Sequence, residues 1–169
     1  MRTYEDLVTA YLSEPGPATL SALRRAVRSA PNFSADLTFD RTVDPLLASG
    51  RYAEAVTALR ELMPGGLFSP GVHTRLASAL RHTGQTQVAA RESTLARAAV
   101  ASIVSTGDGS AERPWSVLRV RDEYDVLSSM KKTPARQELV RDGARYLDHH
   151  ICADGSDVYF DVTELFDRV

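Results

Sequence analysis

Thirty-four residues separate Gly16 from Gly50 and Gly50 from Gly84, and the same interval separates Leu12, Leu46 and Leu80. Ala55 and Ala89 keep it as well. An interval of that length holds one helix–turn–helix unit, and such units bury their apolar faces by stacking on their neighbours. The local pattern agrees. Tyr4, Leu7, Val8, Tyr11 and Leu12 make one helical stripe, and the Pro15-Gly16-Pro17 run stops it. A second helix is expected over residues 18–30, ended by Pro31, a third over 38–48, ended by Gly50, and a fourth over 52–63, closed by Pro64-Gly65-Gly66. Ser69 before Pro70 reads as a cap and first turn. The fifth helix then runs to His82, and a longer sixth follows Gly84.

The best unit carries Phe39, Val43, Leu46, Gly50, Tyr52, Ala55 and Leu59, and the next carries His73, Ala77, Leu80, Gly84 and Ala89. This pattern resembles the tetratricopeptide repeat, whose period is the same. The resemblance implies that Val43, Leu46, Ala55, Ala77, Leu80 and Ala89 are buried between helices. It also implies a concave face lined by the first helix of each pair. Leu37, Asp40, Asp44 and Leu47 would come from one unit and Thr74, Ser78 and Arg81 from the next. Asp40 and Asp44 stand one helical turn apart in the expected third helix. With acid at one end and Arg81 at the other, such a face suits an extended peptide.

At Gly107-Asp108-Gly109 the character changes. Residues 115–120 read as a strand and 123–130 as a short helix. Residues 136–140, 144–152 and 158–163, separated by Asp142-Gly143 and Asp154-Gly155, read as an antiparallel meander. The expected class is therefore α+β: antiparallel helical hairpins over residues 1–106, then a small antiparallel sheet with one short helix over 107–169, packed on them. Gly107-Asp108-Gly109, Trp115-Ser116-Val117, Glu123-Tyr124-Asp125-Val126-Leu127, Gln137, Tyr146-Leu147-Asp148 and Val158-Tyr159-Phe160-Asp161-Val162 together resemble the bacterial family called domain of unknown function 4919. The resemblance covers residues 105–166 well and the helical part loosely. It implies a helical region leading into a small β unit and assigns no activity. Many members look exported, whereas the two acids Glu5 and Asp6 with no apolar stretch behind them argue against a signal peptide here.

Several groups could carry chemistry. On a strand over 144–152, Tyr146, Asp148, His150 and Cys152 share one face and Leu147, His149 and Ile151 the other. Carboxylate, imidazole and thiolate are metal ligands, but same-face neighbours stand about 7 Å apart, too far to converge on an ion without help. No metal or cofactor is expected. Cys152 reads as a small buried apolar residue, since nothing near it activates a thiol. Gly107-Asp108-Gly109 follows a helix and so meets its negative end, which suits a turn better than an anion site. Glu123, Tyr124, Gln137 and Asp148 are polar positions that can converge between the short helix and the sheet, read first as a structural hydrogen-bond network that fixes the helix on the sheet, with Asp122 or Asp125 as helix-end charges. Glu123, Tyr124, Asp148 and His150 are the catalytic candidates under an enzymatic reading.

The chain has 169 residues, 43% hydrophobic and 25% charged, with net charge −2. That is enough apolar material for a core, too little positive charge for a nucleic-acid protein, and a single cysteine, which excludes a disulfide framework. The apolar run at 98–104 is too short to span a bilayer. The expectation is a cytoplasmic, non-enzymatic interaction module that binds a protein or peptide through Asp40, Asp44, Thr74, Ser78 and Arg81, with neither nucleic acid nor membrane as partner. The competing expectation is a small cofactor-independent enzyme or ligand binder with a polar pocket between helices and sheet.

Overall fold

The computed structural model of the chain describes residues 2–166, and the class is α+β. Two compact units divide it, residues 1–99 and 100–169. Helices α1 (Tyr4–Ser13), α2 (Pro17–Arg28), α3 (Val43–Ala48), α4 (Tyr52–Glu61) and α5 (Pro70–His82) lie in the first, and the long α6 (Thr86–Val104) crosses the boundary. The second holds β1 (Trp115–Ser116), α7 (Val120–Ser129), β2 (Pro134–Asp142), β3 (Arg145–Cys152), β4 (Asp157–Asp161) and α8 (Thr163–Phe166). Among the described residues, no helix is long and apolar enough to cross a membrane.

In the first unit α1 packs on α2, α3 on α4 and α4 on α5. Thr3 and Asp6 form a reciprocal capping box at α1, and Ser69 with Pro70 opens α5. The core gathers Phe39, Val43, Ala55, Val56, Leu59, Val72, Leu76, Ala79, Leu80 and Ala89, and Ala77 is buried too. Leu46 is only half-buried, at the margin of that cluster.

The turns after α3 and α5 are built alike, bond for bond. Gly50 (φ 74°) and Gly84 (φ 78°) sit in the left-handed region, where a side chain is strained. Their N–H groups donate to Leu47 O (3.2 Å) and Arg81 O (3.1 Å), and the next N–H groups reach back to Leu46 O (2.8 Å) and Leu80 O (2.9 Å). This closes each helix with a left-handed cap. Gly16 does different work: it is the extended N-cap of α2, φ −175°.

The third helix is shorter than expected. Pro45 has no N–H to give to residue 41 and its ring crowds that carbonyl, so it is tolerated only in a first turn. The helix begins at Val43, and Asp40 falls in the preceding turn. Asp40 and Asp44 are thus not neighbours on one helical face.

The sheet has the order β1-β4-β3-β2. The expected antiparallel meander is present: β2 pairs with β3 and β3 with β4. The first strand differs. It stops at Ser116 because α7 begins at Val120, and it pairs parallel to β4, Trp115 opposite Phe160. The cause is the crossover: α7 carries the chain back before β2 starts, so β1, β2 and β4 all run the same way. The core of this unit is Ile103, Trp115, Val117, Val126, Leu127, Cys152, Val158, Phe160 and Val162.

Leu59 and Leu80 are essentially sealed from solvent, so Leu59→Ala and Leu80→Ala are expected to lower the unfolding free energy by about 2–5 kcal/mol each. Leu46→Ala is expected to lose clearly less. Urea denaturation of the three variants checks the ranking.

Candidate functional site

The second unit concentrates its ionisable groups where α7 lies over β3. Glu123 and His150 are completely buried, and Asp122 and Asp148 nearly so. Strand alternation turns Asp148 and His150 to the α7 side, and Gln137, opposite His150 on β2, shares that face. His150 Nε2 lies 2.7 Å from Glu123 Oε2. Gln137 Nε2 donates to Asp148 Oδ2 at 2.8 Å, and the Tyr124 hydroxyl donates to Gln137 Oε1. Of the four polar positions named from the sequence, Tyr124, Gln137 and Asp148 are thus joined in one run of bonds, and Glu123 is joined to His150. The His150 ring is held edge-on by Tyr124 and Phe160, centroids 5.3 and 5.5 Å away.

Burial sets the protonation. Removal from water, reinforced by a hydrogen bond and repulsion from Asp148 and by the charge of Asp122, pushes Glu123 up to about 10. Burial pushes His150 down, against the opposing pull of Asp148. At neutral pH both are uncharged, so one proton shared between His150 Nε2 and Glu123 Oε2 makes their bond without a buried charge. Glu123 Oε1 and His150 Nδ1 are buried without a hydrogen-bond partner. Asp148 accepts from Gln137, and Gln137 accepts from Tyr124. Burial and the carboxylates of Glu123 and Asp148 hold the Tyr124 hydroxyl above its ordinary value, so it stays a donor.

Other sequence candidates go elsewhere. His149 faces the opposite side of the sheet, stacked on Tyr159 at 4.3 Å with Nε2 2.7 Å from Asp157 Oδ1. Cys152 is a buried core residue. Among the described residues, no group of three or more His, Cys, Asp or Glu side chains has a metal-binding arrangement. Asp125 pairs with Arg121 at 3.2 Å. The Gly107-Asp108-Gly109 loop folds onto the chain ahead of β1: the N–H groups of Asp108 and Gly109 both donate to Arg113 O. A Cβ at Gly107 would stand 2.2 Å from that oxygen, which excludes any side chain.

In the first unit Asp44 is engaged by Arg75, whose guanidinium donates to both carboxylate oxygens, at 2.7 and 3.2 Å, and lies 4.0 Å over the Phe39 ring. Asp40, Thr74 and Arg81 are exposed and Ser78 is half-buried; Arg81 donates to Ser93 Oγ at 3.2 Å. Thr74, Ser78 and Arg81 form one stripe along α5.

Sequence reading missed two arginines. Arg119 is fully buried just before α7, 3.4 Å from Asp122 Oδ2. Arg75 bridges two helices. Arg119 and Arg121 look alike in the chain, and only the start of α7 decides which turns inward. Arg75 carried no signal beyond its place one turn after Gly71.

The linkage has a definite sign. Between the ordinary glutamate value of 4.5 and about 10, native Glu123 keeps a proton that the unfolded chain has released, so stability falls as pH rises through that window. The lowered His150 acts on the acid side: as pH drops below 6.5 the unfolded chain takes up a proton the native state refuses, and stability falls. Glutamine copies neutral glutamic acid, so Glu123→Gln is expected to melt higher than the parent at pH 8.5 and close to it at pH 5. Equal destabilisation at both pH values would show that Glu123 is charged in the fold.

The family model described as Domain of unknown function (DUF4919) matches residues 71–169, more than half of the chain. No curated protein and no solved structure matches it.

Proposed function

The chain belongs to the family of the domain of unknown function 4919, and from that premise we propose that it is a non-enzymatic interaction module of a bacterial cytoplasmic system, whose tetratricopeptide-like helical hairpins hold an extended peptide or protein segment. One observation carries this reading: the bidentate bond of Arg75 to Asp44, which ties α5 to α3. In stacked hairpins the first helices of successive pairs lie side by side. On this reading α3 and α5 are those helices, joined by that bond, and α4, the second of its pair, packs on α5. The matching caps at Gly50 and Gly84 support the same stacking.

The stripe Thr74, Ser78 and Arg81 then offers hydroxyls and a cation to a passing backbone or carboxylate, and Asp40 an anion at the far end. Asp44 serves the stacking and leaves the partner to its neighbours. The enzymatic alternative draws on Glu123, Tyr124, Asp148 and His150. Against it stands the burial of Glu123 and His150, which keeps a substrate from either. That network supports the reading of a fastener between α7 and the sheet, with Tyr124 and Gln137 at its outer end.

Selection of a random-peptide phage library on the immobilised full chain tests the proposal. Enriched peptides are expected to lose about tenfold or more in affinity to Arg81→Glu or Asp40→Arg, while these exposed changes shift stability by only about half a kcal/mol. Glu123→Gln is expected to leave binding unchanged. Failure to enrich any peptide, or binding indifferent to Arg81 and Asp40, would overturn the reading.

A further inference from the structure

The sheet ends on β2, which has β3 on one side and no strand on the other among the described residues. It is the longest strand, and most of its residues are exposed. An edge of that length presents a row of backbone donors and acceptors to any extended chain. Two features of β2 restrict what pairs with it. Its pairing with β3 slips between Pro134 and Arg136, and Pro134 has no N–H, so the regular stretch is residues 136–142. Within that stretch Arg136, Glu138, Arg141 and Asp142 carry charge, which disfavours indiscriminate pairing.

The midpoint of residues 136–142 is Leu139, a large apolar residue that is 54% exposed. A two-fold axis through an antiparallel pair relates each residue to its mirror position about one central residue. Centred on Leu139, it sets Leu139 opposite Leu139, Glu138 opposite Val140, Gln137 opposite Arg141 and Arg136 opposite Asp142. No like charges meet, opposite charges meet at both ends, and the exposed leucines cover each other at about 5 Å. Centred on Glu138, the two glutamates would face each other, which is destabilising. Centred on Gln137, the pair would run into the bulge and Pro134.

We infer that β2 is a self-pairing edge: two copies of this chain join antiparallel through residues 136–142, in the register centred on Leu139, and extend the sheet across a two-fold axis. Arg136 now bonds Glu138 on its own strand and Asp142 bonds Arg145. Both are exposed pairs of little strength, so they do not hold Arg136 from Asp142 of the second copy. The interaction does not depend on the peptide reading of the helical unit and uses none of its residues.

Sedimentation equilibrium of the full chain over a wide concentration range tests the inference, with circular dichroism melts to confirm that each variant folds. The parent is expected to show a monomer–dimer equilibrium. Leu139→Lys sets two cations face to face and is expected to leave monomer only, with an unchanged melt. Asp142→Arg sets arginine against Arg136 and is expected to weaken the dimer, and the double variant Arg136→Asp, Asp142→Arg to restore it. A chain monomeric throughout, a dimer indifferent to Leu139→Lys, or a double variant that fails to recover would overturn the inference. A dimer broken by Glu138→Arg but not by Asp142→Arg would overturn the register.

Discussion

A carboxyl group cut off from water keeps its proton, and much of the second unit is arranged around that fact at Glu123. Neutral Glu123 bonds the imidazole of His150 with no buried charge on either. Beside that pair, Tyr124 donates to Gln137 and Gln137 to Asp148, so a second set of bonds runs inward from near solvent. Within each set the members polarise one another. Together they fix the height and rotation of α7 over the sheet more closely than the apolar contacts of Val126 and Leu127 alone, because hydrogen bonds tolerate less displacement than side-chain packing.

The first unit is held by different means. Its main cluster is apolar, and the polar tie that joins α3 to α5 is charged and partly sheltered, Arg75 with Asp44. The guanidinium satisfies a planar requirement twice, gripping the carboxylate in its plane and lying against Phe39 with its face. Lysine has neither the fork nor the flat surface.

The helices of the first unit were legible because proline and glycine punctuate them. Pro15, Pro31, Gly50 and Gly84 mark ends that the backbone cannot avoid. Pro45 belonged to the same alphabet, and its bearing on where α3 begins moved Asp40 off the helix. The strands after Gly143 were legible through alternation, which also placed Asp148 and His150 together. The direction of β1 was not, because two residues carry no periodicity and the reversal comes from α7. Burial of Arg119 was illegible for a related reason: a charged residue next to a helix start has the same local pattern whether it turns out or in. Leu46 obeyed the spacing yet stayed at the rim, since periodicity reports which face a residue is on and says nothing of how deep that face lies.

The stretch matched by the family model and the stretch that is spatially compact do not coincide. The match opens at residue 71, one residue into α5, whereas the second compact unit opens at 100, within α6. What is shared by descent therefore includes most of α5 and all of α6 as well as the sheet. Arg75, Thr74, Ser78 and Arg81 fall inside the inherited block, and Asp40 and Asp44 outside it. The bond between Arg75 and Asp44 thus straddles the border of the matched stretch, with the guanidinium on the matched side and the carboxylate beyond it.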